Sequence, residues 1–145
     1  MDHHLILRVV TKLLIGPIML FALYVQFHGE YGPGGGFQAG VIFAVGFILY
    51  GIVFSLTRLR QLVPDWVIHK LLALGVLIFA GTGVAGLVFG ANYLDYNVLF
   101  ADPIDGQHYG IIIIEFGVGL TVFSTMVAIF YAFAGRPPRL DDEEW

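Results

Sequence analysis

The sequence predicts an all-α, polytopic membrane protein: one membrane domain over residues 1–145, with four transmembrane helices and both termini cytoplasmic. Three observations lead there. Of 145 residues, 58% are hydrophobic and only 12% charged, and the mean hydropathy of +0.84 is far above that of a soluble domain. Four nearly charge-free runs recur, at Leu13–Gly29, Phe37–Thr57, Leu71–Leu94 and Phe116–Gly135, and a bilayer core needs about 20 apolar residues per helix. All seven cations, Arg8, Lys12, Arg58, Arg60, Lys70, Arg136 and Arg139, fall in the N-terminal segment, the second connection and the tail.

The first helix is expected over about residues 5–27, lengthened by Arg8 and Lys12 snorkelling to one surface. A cleaved signal peptide would share its basic start. The exit YVQFH, Tyr24 to His28, carries large side chains where cleavage needs small ones, so the segment reads as a span. Gly16 and Pro17 are candidates for a kink. The second helix is expected at about 37–57, the third at 70–90, and the fourth at 109–133, which encloses Glu115. The connections His28–Gln38 and Ala91–His108 hold no Lys or Arg, so the positive-inside rule puts them outside and the cationic connections in the cytoplasm. Glu30, Asp95, Asp102 and Asp105 make the outer face acidic. Tyr93, Tyr96, Phe100 and Tyr109 near that surface, with Trp66 at the other, suit aromatic belts. The tail 136–145 is acidic and reads as a solvated end.

Glycine is the second organising feature. HGEYGPGGGFQAG, His28 to Gly40, lacks the lysine of a phosphate-binding loop and follows a membrane helix rather than a strand, so it is no nucleotide cradle. Pro33-Gly34 suits a tight turn. Gly34, Gly35 and Gly36 bare the backbone at the start of the second helix, where amides and the helix dipole favour a carboxylate; Glu30 is the local candidate. Small residues continue at helical spacing through Gly36 and Gly40, then Gly75, Gly86 and Gly90, then Gly110, Gly117 and Thr121. Such faces bring membrane helices into close contact. Their surplus suggests packing against other membrane subunits as well as within the bundle.

The stretch resembles the signature of the MnhB-like subunits of Mrp-type multisubunit sodium/proton antiporters: a His-Gly, three variable residues, then Pro-Gly-Gly-Gly-Phe between the first two of four membrane helices. His28, Gly29, Pro33, Gly34, Gly35, Gly36, Phe37 and Gly40 occupy that pattern, and the helix count and length extend the similarity over the whole chain. The related module of energy-converting membrane hydrogenases shares it. The resemblance implies a non-catalytic subunit in a complex that exchanges sodium for protons across a prokaryotic plasma membrane. Its partners would be the other membrane subunits and the lipid, with sodium and protons as transported species and no cofactor, nucleotide or nucleic acid. The proton-channel subunits of such complexes use lysines buried in broken helices; here no lysine lies mid-span.

Glu115 is the only acid well inside a span, on a stripe with His108, Ile111, Ile112 and Gly119. An intramembrane charge is expensive. Protonation, hydrogen bonding to His28, His108 or loop amides, pairing with another subunit, and occupancy by a transported cation all remain open for it. Glu115, His108, His28 and Glu30 are therefore the candidate ion-path residues. Pro33, Gly34, Gly35, Gly36, Phe37, Gly40, Gly86 and Gly90 are candidates for turn and packing roles. Without cysteine, thiolate metal sites and iron–sulfur clusters are excluded, and no histidine spacing suggests a metal. No nucleophile, base and orienting group stand together, which argues against an enzyme. An independent homo-oligomeric channel or transporter is the alternative.

Overall fold

The computed structural model describes residues 3–29 and 32–136, which form helices and turns with no strand among them. Helix α1 spans His3–His28, α2 Gly36–Phe54, α3 Leu56–Leu62, α4 Asp65–Val88 and α5 Pro103–Ala134, with a 3₁₀ turn at Tyr96–Val98. Four of them, α1, α2, α4 and α5, are long and apolar enough to cross a membrane. Helix α1 continues through Pro17. The acidic residues of the tail beyond Arg136 lie outside the described residues.

Three boundaries differ from the sequence expectation, each for a local reason. The second span stops at Phe54, because Ser55 turns the chain with φ 111°, a left-handed-side conformation that costs strain in a non-glycine residue. Ser55 serves both neighbours: its N–H donates to the Gly51 carbonyl at 3.1 Å, and its own carbonyl accepts from Leu59 at 3.2 Å. The short α3 thereby folds back, and Leu59 becomes wholly buried against Gly51. The third span starts at Asp65 rather than 70, just after Pro64, with its acid in the first turn where the helix dipole favours it. The fourth starts at Pro103 rather than 109. Asp102 Oδ1 accepts from the Ile104 N–H at 2.9 Å, and proline at the first helical position lacks only a donor the helix could not use.

In space the spans run α1, α2, α5, α4, so the last helix inserts between the second and third. Contact at the α2/α5 seam is backbone to backbone: a Cβ on Gly36 would overlap the Glu115 carbonyl, and one on Gly40 would stand 2.5 Å from the Gly119 carbonyl oxygen. The α4/α5 seam uses Gly75 against Gly117 and Thr121 in the same manner. The small faces of these three helices thus meet one another within the chain. Van der Waals contact at this range is the force available between helices when lipid is as apolar as their side chains. Deeper in, Phe43 and Phe47 meet Phe123 edge-on at 5.4 and 5.1 Å above a core of Ala44, Leu59, Ile68, Val127 and Tyr131. Thr82, Thr121, Ser124 and Thr125 donate to carbonyls one turn back in their own helices at 2.8–2.9 Å, which satisfies hydroxyls without water. Helix α1 stands at one end of this row, with Leu5, Leu13, Leu20 and Phe27 all exposed.

Candidate functional site

A carboxylate from α5, that of Glu115, lies at the bared start of α2. A Cβ on Gly35 would stand 2.8 Å from Glu115 Oε1, and one on Gly29 would stand 3.0 Å from the same oxygen. The end of α1, the turn and the start of α2 therefore close around this side chain. Only glycines permit it. Gly35 also has φ +118°, a conformation that favours glycine, and is the N-cap of α2, with its carbonyl accepting from Ala39 at 3.0 Å. The positive end of the α2 dipole lies beside Gly35 and favours an anion there. Glu115 is half-buried and sits thirteenth in α5, roughly 18 Å from its start at about 1.5 Å per residue. Helix α5 has 32 residues, about 48 Å at that rise, and overhangs a core of about 30 Å. Glu115 thus lies within the stretch of α5 that is long and apolar enough to cross a membrane.

The other candidates distribute around this joint. His28 ends α1, exposed, its ring stacked on Tyr24 at 4.9 Å, with Gly32 against its far side. His108 is half-buried two turns before Glu115, with Tyr109 edge-on at 5.2 Å. His28, His108 and Glu115 are each engaged by a neighbouring group. Glu30 lies outside the described residues. Pro33 is exposed, while Gly34 abuts Val25, where a Cβ would approach Cγ1 to 3.1 Å. Phe37 points away from the bundle and is 60% exposed. Gly86 and Gly90 belong elsewhere. They finish α4, where the Ala91 N–H donates to the Gly86 carbonyl at 3.0 Å and Gly90 adopts φ +82°.

Two amides escaped the sequence reading. Gln38 brings Oε1 to 4.0 Å from the Cβ position of Gly35, and Gln26 Oε1 stands 2.6 Å from that of Gly119. Both are polar groups in nearly charge-free runs, a signal overlooked because neither carries charge. Gln26 also faces an apolar cavity of about 430 Å³ between α1, α2, α5 and the start of α4. Among the described residues no group of three or more His, Asp or Glu is placed to hold a metal ion.

The connection between α4 and α5 folds onto the bundle. Tyr93 fills the notch at Gly83 and Tyr96 covers Gly106 and Gly110, so these rings pack on the chain's own helices. Burial and the neighbouring Tyr93 push the Tyr96 phenol above its usual value of 10.0. At the opposite end Arg60 Nη2 donates to the Tyr131 carbonyl at 3.3 Å, its guanidinium lies 5.2 Å from that ring, and its Nε faces Asp65 Oδ1 at 3.5 Å without hydrogen-bond geometry. The Tyr131 hydroxyl donates to the Val63 carbonyl at 2.8 Å.

A row of four apolar helices of membrane-spanning length, locked by glycine seams, defines a small multi-pass membrane protein. A family model described as "Domain related to MnhB subunit of Na+/H+ antiporter" matches residues 6–128. The chain is 33% identical over 138 residues to the "Putative antiporter subunit mnhB2" of Staphylococcus haemolyticus strain JCSC1435, covering 92% of this chain and 96% of that one. It is 32% identical, with the same coverage, to the protein of that name in Staphylococcus aureus strain Newman. The chain belongs to the MnhB family of sodium/proton antiporter subunits.

Proposed function

We propose that the chain works as a non-catalytic membrane subunit of a sodium/proton antiporter complex, contributing Glu115 to the path of the exchanged ions from the outer half of the membrane. One observation carries the reading: the carboxylate within the last span is seated on the glycine turn between α1 and α2 at the positive end of α2. Loop amides and a helix dipole lower the cost of ionising such a group, while its depth keeps the protonated form within reach. All Lys and Arg residues of α2 to α5 lie at the other end of the bundle, so the neutralising charge is a proton, an imidazolium or a visiting cation rather than a permanent ion pair within the chain. Partners are the other membrane subunits, reached through outward side chains such as Phe37 and the exposed side of α1.

The test is Glu115→Gln in the assembled complex, with exchange measured in everted vesicles. Glutamine keeps shape and hydrogen bonding but cannot carry a proton at physiological pH. Assembly is expected to survive, while exchange falls or its pH optimum and apparent sodium affinity move. A variant that transports like the parent at every pH and sodium concentration removes Glu115 from the path. For orientation, the cationic end is assigned to the cytoplasm. Single cysteines at Asp105 and Glu144 should be labelled from outside and inside respectively, unambiguously because the chain has no native cysteine; labelling of both from one side refutes the topology.

A further inference from the structure

Glu115 is not the only polar side chain brought to the joint between α1, α2 and α5. Gln26 lies near the end of α1, in the half of that helix adjoining the glycine turn, and its Oε1 reaches across to Gly119, one turn along α5 from Glu115. A side chain on Gly119 would occupy the place of that oxygen, 2.6 Å from its Cβ, so the glycine at 119 admits the amide. The Gly36 carbonyl oxygen is 3.1 Å from the same Cβ position. Oxygen-bearing groups from three helices thus lie along one turn of α5, the Glu115 carboxylate toward Gly29 and Gly35 at its start and the Gln26 amide and Gly36 carbonyl at Gly119.

On its other side Gln26 faces the cavity of about 430 Å³, whose remaining walls include Leu23, Phe43, Leu71 and Phe123. None of the side-chain hydrogen bonds among the described residues uses the Gln26 amide. Gln26 is half-buried, and an amide turned to apolar walls without a partner is less well solvated than one in bulk water, which carries a cost. A leucine would fill the same space without that cost. A guest bearing positive charge or donors offsets the cost, and neutral amide and backbone oxygens beside one carboxylate are the donor set that hard monovalent cations accept within membranes.

We propose that Gln26 is a cation-binding residue of the Glu115 site, its amide oxygen completing with the carboxylate a station for sodium at the edge of the cavity. This rests on the reading of Glu115 as part of the ion path and adds a ligand and a specificity to it. The carboxylate supplies charge. The amide supplies a second oxygen that discriminates a bare cation from a proton, since a proton needs only the carboxylate.

The experiment uses the complete complex, comparing the parent with Gln26→Leu, Gln26→Asn and Glu115→Gln. Gln26→Leu is expected to raise the sodium concentration for half-maximal exchange about tenfold, the scale of one hydrogen-bonding or coordinating group lost to a charged ligand, with the pH optimum unmoved. Gln26→Asn should recover part of that loss. A Gln26→Leu complex with unchanged sodium dependence overturns the inference, as does one in which only the pH optimum moves, because the amide then serves the proton. If Glu115→Gln alters exchange while Gln26→Leu does not, the inference fails and the reading of Glu115 stands; if Glu115→Gln is silent, that reading fails as well. Should the leucine variant not accumulate, Gln26→Cys decides, read as labelling of this chain by a small water-soluble thiol reagent. Slowing of labelling by sodium, but not by choline at equal ionic strength, supports the station. Labelling indifferent to sodium, or none, overturns it.

Discussion

The two ends of this bundle are closed by opposite chemistry. At one end a permanent cation, Arg60, meets the Tyr131 carbonyl and ring, and the Tyr131 hydroxyl ties the end of α5 to Val63 at 2.8 Å. At the other, glycines remove every side chain so that a titratable carboxylate can rest on backbone. The first arrangement changes little across physiological pH, because guanidinium and phenol keep one charge state there. The second contains groups whose charge can change, held where backbones already touch. One small bundle thus has a fixed end and a convertible end.

The comparison breaks most readily at Gly36. Replacement by leucine forces a side chain into the Glu115 carbonyl, and neither backbone can retreat without opening the α2/α5 seam, so a loss of about 3 kcal/mol is expected, at the upper end of overpacking costs. The loss should appear in this chain expressed by itself, as reduced accumulation and thermal stability in detergent. Gly81→Leu is the control, since nothing lies within 4 Å of its Cβ position. Equal behaviour of the two variants would mean that the α2/α5 seam is not the close contact described.

A smaller effect tests the fixed end. Tyr131→Phe deletes only the hydroxyl that donates to Val63, and about 1 kcal/mol of stability should go with it. The pH and sodium dependence of exchange should stay with the parent. A shifted pH optimum in this variant would show that the ends are coupled rather than distinct.

The smallest effect falls outside physiological pH. The Tyr96 phenol is raised above 10.0 in the folded protein, so its neutral form is the one the loop favours. Its contribution is complete below the unfolded value of 10.0 and is lost as pH rises through the higher folded value. A cysteine at Asn92 should therefore react faster with a thiol reagent, beyond the reagent's own pH dependence, only above about pH 10. The excess should vanish in Tyr96→Phe, which cannot ionise. Persistence in the phenylalanine variant would assign the loosening to another group.

Much of this was legible in the chain. Four apolar runs, a one-sided cation pattern and a glycine-dense turn depend on composition and spacing, and solvent imposes their consequences directly: apolar segments of bilayer length have nowhere else to go. Glu115 stood out for the same reason, as a carboxylate in a span. The helix starts at Asp65 and Pro103 were harder, because polar residues that overhang the apolar layer look like loop until their caps are recognised. Tertiary structure alone decided the order α1, α2, α5, α4, and with it the partners of every glycine. Periodicity tells which face of a helix is smooth but not which smooth face it meets; that depends on contacts between distant residues, fixed only when all the helices compete for the same neighbours. For that reason the sequence did not show that packing brings Glu115 to the start of α2 and sets the uncharged Gln26 one turn away.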